Sequence, residues 1–409
     1  MSAPSLFWPG DHRAGDVFSS KAYAGALVAV EVAWLRVLAA SGPAPAGAAD
    51  ALATVSLDPE QLVDLATDAE GGGNPVIGLL AVLRARLPDG AAKWLHKGLT
   101  SQDVVDTAMM LCARSALDQL ADDLGRCAAA LAALAEQHRQ TIMVGRTLTQ
   151  HAVPITFGLK AAGWLDGVLD ALDGIILARK GLRVQCGGAA GTLAAITELA
   201  GDHGLDWSAA LANELSLAPS TPWHTRRTPV TAVGDTLVTS TDALGHLASD
   251  IVVLSRSEIA EVSEPAGKDR GGSSTMPQKR NPVLAVLIRR AAATAPLLGS
   301  QLHLASAQAA DERPDGAWHT EWQALALLAR HSVTAASQAA ELVEGLEVHA
   351  ETMAATVQRA MPDLLAERSS IRALAGRPAD AGNASDYLGA TQSIIDAALD
   401  RAKRTGAQR

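Results

Sequence analysis

Residues 117–134 read LDQLADDLGRCAAALAAL, and the spacing of the apolar residues in this stretch decides the fold class. Successive apolar side chains are three or four positions apart: Leu117, Leu120, Leu124, Cys127, Leu131 and Leu134. This spacing puts all six on one face of an α-helix, because the helix repeats every 3.6 residues. The stretch therefore predicts an amphipathic helix with one continuous apolar stripe.

The same spacing recurs further along the chain. It is found at Leu165, Val168, Leu172 and Ile175, and again at Leu237, Leu244, Leu247, Ile251 and Leu254. Strand signals are scarce, since aromatic residues make up 3% of the chain and alternating apolar patterns are hard to find. We therefore predict an all-α protein. Long helices expose more apolar stripe than one chain can cover, so we also expect an oligomer.

Three regions can be distinguished by composition. Residues 1–98 contain several prolines and predict an N-terminal domain of shorter helices. Residues 99–345 carry the long helical patterns and predict a central bundle domain. Residues 346–409 are shorter and mixed, which predicts a small C-terminal helical domain.

Composition and charge narrow the functional classes. The net charge of -10 argues against a nucleic-acid surface, which needs clustered basic residues. Met1–Gly10 lacks the basic start and apolar run of a signal peptide, and no uncharged apolar stretch approaches 18 residues. We therefore expect a cytoplasmic protein that does not cross a membrane. The three cysteines lack CxxC spacing and fit core positions better than a metal site or a disulfide.

The strongest chemical signal is the segment 271–282, which reads GGSSTMPQKRNP. Its glycines, hydroxyls and cation suit a mobile lid that closes on a carboxylate. A solvated loop with turn residues is the alternative interpretation of this composition.

This segment resembles the signature loop of the fumarase/aspartase superfamily almost letter for letter. The resemblance implies that Ser273 is the general base, that Lys279 and Asn281 hold the substrate carboxylate, and that Ser274 and Met276 contact substrate. The chemistry agrees, because removing a proton beside a carboxylate builds a dianion that needs fixed cations and donors.

A second segment, 96–103, reads HKGLTSQD and resembles the first motif of the same superfamily. The resemblance implies that Thr100 and Ser101 donate hydrogen bonds to a substrate carboxylate and that His96 orients the substrate. A helix starting here would favour an anion at its N-terminus. Taken alone, the two hydroxyls are equally typical of a helix N-cap.

The third segment, 145–154, reads GRTLTQHAVP and resembles the motif Gly-Arg-Thr-His-x-Gln. It implies substrate binding by Arg146 and Gln150, and a structural role is an equally good interpretation of each. Leu148 stands where many relatives have an acid histidine, and Val286 stands where the glutamate partner of that histidine would be. The absence of both the histidine and the glutamate fits a reaction whose leaving group needs little protonation, such as a carboxylate with a reference pKa of about 4.

Within the superfamily the chain most resembles the bacterial 3-carboxy-cis,cis-muconate cycloisomerases. Residues 187–193, 222–227 and 317–322 look like segments of those enzymes, and Arg227 is the candidate for binding a substrate carboxylate. Residues 350–383 depart from that pattern, and the comparison predicts that this region is shortened.

The resemblance implies cycloisomerisation of 3-carboxy-cis,cis-muconate in protocatechuate degradation by the β-ketoadipate pathway. It further implies a homotetramer whose three motif segments meet from different subunits, a small di- or tricarboxylate substrate, and no metal or organic cofactor. Two alternatives stay open. One is an adenylosuccinate lyase-type C–N lyase, and the other is a helical assembly protein that has lost catalysis.

Overall fold

The computed structural model describes residues 6–265, 267, 270–272, 275–276, 279–378, 380 and 382–407. Most of these residues are helical. The α-helices are α1 Ser20–Ala40, α2 Pro59–Gly72, α3 Val76–Arg84, α4 Asp89–Ala92, α5 Ser101–Gln137, α6 Phe157–Gly181, α7 Ala194–Ala200, α8 Gly204–Glu214, α9 Thr228–Leu254, α10 Val283–Ala307, α11 Gly316–Glu344, α12 Ala350–Ala360, α13 Ala366–Leu374 and α14 Thr391–Ala407. The all-α prediction is confirmed.

The apolar stripes that predicted the helices are buried. All six stripe residues of α5 are at most 9% exposed, and five of them are fully buried. The stripes of α6 and α9 are buried to the same degree. Burial of one leucine side chain stabilises a fold by roughly 1.5–3 kcal/mol, so these stripes are a large part of the stabilisation.

Polar side chains fix where the N-terminal helices begin. Ser19 accepts from the backbone N–H of Ala22 over 3.1 Å at the start of α1. At the start of α2, the Asp58 side chain accepts from Gln61 N–H over 2.8 Å, and the Gln61 side chain accepts from Asp58 N–H over 3.2 Å. This reciprocal capping box satisfies two backbone donors that the helix itself leaves unpaired.

Two small antiparallel sheets lie between the helices. Strand β1 Ile142–Thr147 pairs with β2 Gln150–Thr156, and β3 Val262–Ser263 pairs with β4 Glu347–Val348. The first hairpin contains the motif 145–154. The sequence did not predict this hairpin, because strand signals are scarce in the chain. Its register shifts at Gly145, where an added Cβ would lie 2.7 Å from the Val153 carbonyl oxygen.

The chain divides into two compact units. The first contains residues 1–119, 175–238 and 295–334, and the second contains residues 120–174, 239–294 and 335–409. The long helices α5, α6, α9, α10 and α11 each contribute residues to both units. These units are interleaved in sequence, so the division at residues 98 and 345 stays a prediction.

Each unit has its own core. In the first, Trp34 is fully buried and meets Trp207 edge to face at a centroid distance of 6.3 Å. In the second, Val144 of β1 packs in a cluster with Val357 and Leu364. The three cysteines are free and buried, which confirms their interpretation as small core residues.

Among the residues that the structure describes, three helices are long and apolar enough to cross a membrane, judged by length and composition alone. They are α1, α9 and α10, and 61%, 50% and 33% of their most apolar windows are buried within the fold.

Candidate active site

The first motif segment lies at the start of α5 in the first unit. Ser101 is the first residue of this helix, Thr100 precedes it, and both are partly exposed. Asp103 accepts from the backbone N–H of Thr100 over 3.0 Å, which is one half of a capping box. The two hydroxyls therefore stand at a positive helix terminus, where a carboxylate is stabilised.

Asp103 is fully buried and connects this helix terminus to two distant segments. Its carboxylate accepts from Gly187 N–H (2.9 Å), Gly188 N–H (2.9 Å), the Gln185 side chain (3.1 Å) and His224 Nε2 (2.9 Å), besides Thr100. Sequence analysis did not single out Asp103, although it is the aspartate of the Thr-Ser-x-Asp motif. The buried carboxylate therefore holds residues 185–188 and the segment 222–227 against the start of α5.

His96 precedes the two hydroxyls and has an unusual backbone conformation, with φ at 64°. Its Nδ1 lies 2.7 Å from Oε1 of Glu31, a residue of α1 whose side chain is fully buried. The imidazole itself is 16% exposed. Glu31 was missed by sequence analysis because nothing in an apolar helix predicts a partner 65 residues away.

Arg227 lies in a buried environment. Its guanidinium donates to Asp106 over 2.7 and 2.9 Å and to Glu321 over 2.5 Å, and the residue is 2% exposed. Burial opposes the charge of Arg227, but the two carboxylates outweigh it and raise the pKa of the guanidinium above its usual value. Burial raises the pKa of Glu321 although Arg227 opposes that shift. Arg227 thus belongs to a buried ion-pair cluster, whereas Arg226 beside it is exposed, and substrate binding by Arg227 stays a prediction.

The third motif segment forms the tip of the β1–β2 hairpin in the second unit. Leu148 and Thr149 form the two-residue turn, with φ of 48° and 69°, values typical of a type I′ turn. The side chain of Leu148 is 95% exposed, and Gln150 beside it is also exposed. The hairpin tip therefore exposes an apolar side chain at the position where many relatives have a histidine that acts as a general acid.

Arg146 forms an ion pair with a buried acid. Its two terminal nitrogens donate to the two carboxylate oxygens of Glu261 over 2.9 and 2.8 Å. The Glu261 side chain is fully buried, and Arg146 is 17% exposed. This ion pair connects the hairpin to the residues that precede the signature loop. Both terminal nitrogens of Arg146, which would bind a substrate carboxylate, are hydrogen-bonded to Glu261 instead.

The signature loop is closed at its base by Asn281. The backbone N–H and the side-chain amide of Asn281 both donate to the Gly271 carbonyl, over 2.8 and 3.1 Å. Gly271 has φ of 75°, and a Cβ there would lie 2.8 Å from the Asn281 carbonyl oxygen, so only glycine fits. Ser273 and Ser274 lie outside the described residues.

A cavity of 280 Å³ lies beside this loop. Its lining includes Ser263, Glu264, Arg270, Lys279 and Asn281. Lys279 is exposed, and no ion pair to it is found among the residues that the structure describes. Met276 is 41% exposed. A cation and amide groups beside a cavity of this size can bind a carboxylate.

Glu264 fixes the helix that follows the loop. Its carboxylate accepts from the backbone N–H groups of Leu284 and Ala285 over 3.0 and 2.7 Å at the start of α10. Burial raises the pKa of Glu264, and these two backbone donors oppose that shift only in part.

Two further histidines, His224 and His319, already have hydrogen-bond partners. His224 is bound to Asp103, and His319 Nε2 lies 2.8 Å from the Gly73 carbonyl oxygen. In the part of the chain that the structure describes, no three His, Cys, Asp or Glu side chains converge as metal ligands would.

Comparisons with known proteins place the chain in a family. A family profile described as "Lyase" matches residues 12–297. The chain is 46% identical to nitrosuccinate lyase from Streptomyces davaonensis over 361 residues, covering 86% of this chain and 76% of that protein. It is 40% identical to 3-carboxy-cis,cis-muconate cycloisomerase from Bradyrhizobium diazoefficiens, covering 82% of this chain and 75% of that protein.

The fold agrees with the same assignment. The crystal structure of 3-carboxy-cis,cis-muconate lactonizing enzyme from Pseudomonas putida superposes with a TM-score of 0.82 and 30% identity, covering 96% of this chain and 97% of that chain. The chain therefore belongs to the lyase family of the fumarase/aspartase superfamily.

Proposed function

We propose that this lyase-family enzyme interconverts 3-carboxy-cis,cis-muconate and its carboxymuconolactone. The observation that carries this proposal is the apolar tip of the β1–β2 hairpin, where Leu148 is 95% exposed and cannot donate a proton. Val286, at the position of the expected glutamate partner, is also apolar and 51% exposed. A reaction without this acid requires a leaving group that departs as a stable anion.

In the lactone-forming direction, one carboxylate oxygen of the muconate adds to the neighbouring double bond. The C–O bond forms, and the π electrons move onto the adjacent carbon and its carboxyl group. Lys279 and Asn281 of one subunit, together with Thr100 and Ser101 of a neighbouring subunit, hold that aci-carboxylate. Ser273 returns the proton to carbon. In reverse, Ser273 removes the proton and the lactone oxygen leaves as a carboxylate.

The low basicity of that leaving group explains why the acid can be dispensed with. A general acid speeds the departure of a basic group by about 10²–10⁴. The departure of a carboxylate, which has a reference pKa of about 4, is accelerated little by a general acid. An adenylosuccinate-type reaction expels an amine nitrogen and would be slowed, so Leu148 counts against that alternative.

A homotetramer in the cytoplasm is part of the proposal. The exposed apolar residues Leu297 (71%) and Leu304 (62%) are seven positions apart on α10 and share one face of that helix. An apolar face of this kind is typical of the interfaces in helical bundles.

Elimination of nitrite from nitrosuccinate is the second candidate, because a nitrosuccinate lyase is 46% identical to this chain. The proton beside a carboxylate is removed, the C–N bond breaks, and the nitro group leaves as nitrite to give fumarate. Nitrite is also a weakly basic anion, so the exposed Leu148 is compatible with this reaction too.

The test is to incubate the purified full-length protein with 3-carboxy-cis,cis-muconate, nitrosuccinate and adenylosuccinate in parallel. Loss of the diene absorbance identifies the first reaction, and release of nitrite identifies the second. We expect rapid turnover of the muconate and at most slow turnover of the other two. Nitrite release alone would replace the first candidate by the second, and turnover of adenylosuccinate alone would overturn the argument from Leu148. No turnover of any of the three would favour an assembly protein that has lost catalysis.

A pair of serine variants tests the chemistry of the active reaction. Ser273→Ala should lose nearly all turnover with the fold intact, because it removes the base. Ser370→Ala changes an exposed serine of α13 and should remain fully active. A fully active Ser273→Ala enzyme would contradict the assignment of the base.

A further inference from the structure

A carboxylate is buried in the apolar face of α1. Glu31 is fully buried, and its neighbours Val30, Val32 and Trp34 are at most 7% exposed. Burial of an ionised carboxylate carries a large free-energy cost unless partners offset it, and a leucine of similar size would avoid that cost. The presence of Glu31 at this position therefore calls for a reason other than stability.

The hydrogen bonding of Glu31 is incomplete. Its Oε1 lies 2.7 Å from His96 Nδ1. Its Oε2 is buried and has no hydrogen-bond partner among the residues that the structure describes. An ionised carboxylate can only accept, so Nδ1 of His96 carries the hydrogen in this contact. Nε2 is then the only ring nitrogen that His96 can direct elsewhere.

The backbone around His96 is fixed by the same helix. Trp34, one turn after Glu31 on α1, donates from its indole to the Lys97 carbonyl over 2.7 Å. His96 and Gly98 both have positive φ, at 64° and 93°, and a Cβ at Gly98 would lie 2.7 Å from Ile196. The left-handed conformation of His96 is costly for a residue with a side chain, and such strain is concentrated at functional sites.

We propose that Glu31 is a positioning residue that fixes the orientation and tautomer of His96, so that Nε2 faces the substrate side of the Thr100–Ser101 terminus. This inference rests on the proposed function in taking that terminus as a substrate site. Glu31 touches no substrate and acts only through His96. The buried carboxylate is retained at the expense of stability because it holds the imidazole in one state.

The test is a double-mutant cycle in the full-length protein with Glu31→Leu, His96→Asn and the double variant. We expect each single variant to lower kcat/KM by about 10- to 100-fold, as misplaced binding groups do. Because Glu31 acts through His96, the double variant should be no slower than His96→Asn alone. Losses that multiply in the double variant would overturn the proposal, and so would full activity of Glu31→Leu.

Thermal unfolding separates this role from a merely structural one. Glu31→Leu should unfold at the same temperature as the wild type or higher, because an apolar side chain replaces a buried charge. A clear drop in unfolding temperature that tracks the loss of activity would mean that Glu31 serves only the fold. Glu60→Leu, at an exposed position on α2, is the matched control and should change neither property.

Binding of tricarballylate, a tricarboxylate that cannot react, keeps the inference separate from the choice of substrate. Calorimetry on the same four proteins should show the same lack of additivity in Kd. If the wild type turns over no muconate but this binding cycle is non-additive, the proposed function fails and the positioning role stands. If the binding losses are additive, the positioning role fails whatever the substrate.

Discussion

Arg227 donates to both carboxylate oxygens of Asp106, over 2.7 and 2.9 Å, at a place where neither side chain is more than 2% exposed. Glu321 and the Trp318 indole, which donates to Asp106 over 2.9 Å, complete the cluster. The two carboxylates come from helices α5 and α11, and the guanidinium comes from the residue preceding α9. The ion pairs thus join three helices within the first unit.

We expect Arg227→Met to reduce stability rather than to weaken substrate binding selectively. Removing the arginine leaves two buried carboxylates without a cation, and breaking such a pair costs about 3–5 kcal/mol. Chemical denaturation measures the change. Arg226→Gln removes the exposed neighbouring charge and should leave the free energy of unfolding unchanged. An increase in KM with unchanged stability in Arg227→Met would support the original prediction for this residue.

Asp103→Asn should loosen the segments that this side chain holds to the start of α5. The carboxylate accepts from four donors besides the cap of its own helix, and the amide of asparagine turns one acceptor oxygen into a donor facing those N–H groups. Hydrogen bonds to a charged group are worth about 1.5–3 kcal/mol each, so we expect a loss of at least about 2 kcal/mol on denaturation. Asp89→Asn, at an exposed position on α4, is the control. Equal stability of the two variants would contradict this view of Asp103.

How much of this organisation the sequence predicts depends on the range of the interaction. The stripe Leu117–Leu134 could be read correctly because helical burial depends on neighbours three and four positions away. The partners of Arg227 are 121 and 94 residues distant, and nothing local distinguishes Arg227 from Arg226. Motif resemblance therefore located the segment, but it could not predict that Arg227 is buried in an ion-pair cluster while Arg226 is exposed.

The same limit applies to the hairpin and to the buried acids. Segment 145–154 was found as a motif, but its two strands are short, and its turn uses Leu148 and Thr149 in place of the Asn-Gly pair that signals such a turn. Glu31 and Glu261 carry no motif, and each is identified only by the partner that the fold brings to it, His96 and Arg146.

Leu148→Ala should change turnover little if the leaving group needs no acid. The side chain is 95% exposed, so stability should also be unaffected. We expect kcat within about threefold of the wild type, whereas loss of a general acid costs about 10²–10⁴. Leu177→Ala, a 73% exposed leucine of α6, is the matched control. A hundredfold loss in Leu148→Ala alone would show that the hairpin tip takes part in the reaction in some other way.

The stability contributed by Glu264 should depend on pH in a defined direction. Burial raises the pKa of Glu264 in the folded chain, so the folded state keeps a proton above the pH of about 4.3 at which the unfolded chain releases it. This contribution is fully present below that pH and is lost as the pH rises through the higher, folded pKa.

Glu264→Gln mimics the protonated form and lacks this titration. The unfolding temperature of the wild type relative to Glu264→Gln should therefore fall as the pH rises from about 4 through the window above it. Thermal unfolding at a series of pH values measures the difference. Glu258→Gln, at an exposed position, should show no such trend. If the unfolding temperature of the wild type instead rises relative to that of Glu264→Gln with increasing pH, the hydrogen bonds from Leu284 and Ala285 lower the Glu264 pKa by more than burial raises it.

Leu297→Glu tests whether the apolar face of α10 is an interface between subunits. Leu297 and Leu304 are exposed in the single chain, and a charge between packed helices would be buried without a partner. We expect light scattering to show smaller particles for Leu297→Glu than for the wild type, with circular dichroism unchanged. Turnover should also fall when the oligomer dissociates, because the proposed site is completed by neighbouring subunits. Leu374→Glu places the same charge at an 83% exposed leucine of α13 and should leave mass and turnover unchanged. A Leu297→Glu protein of unchanged mass and full activity would place the subunit interface on a different face.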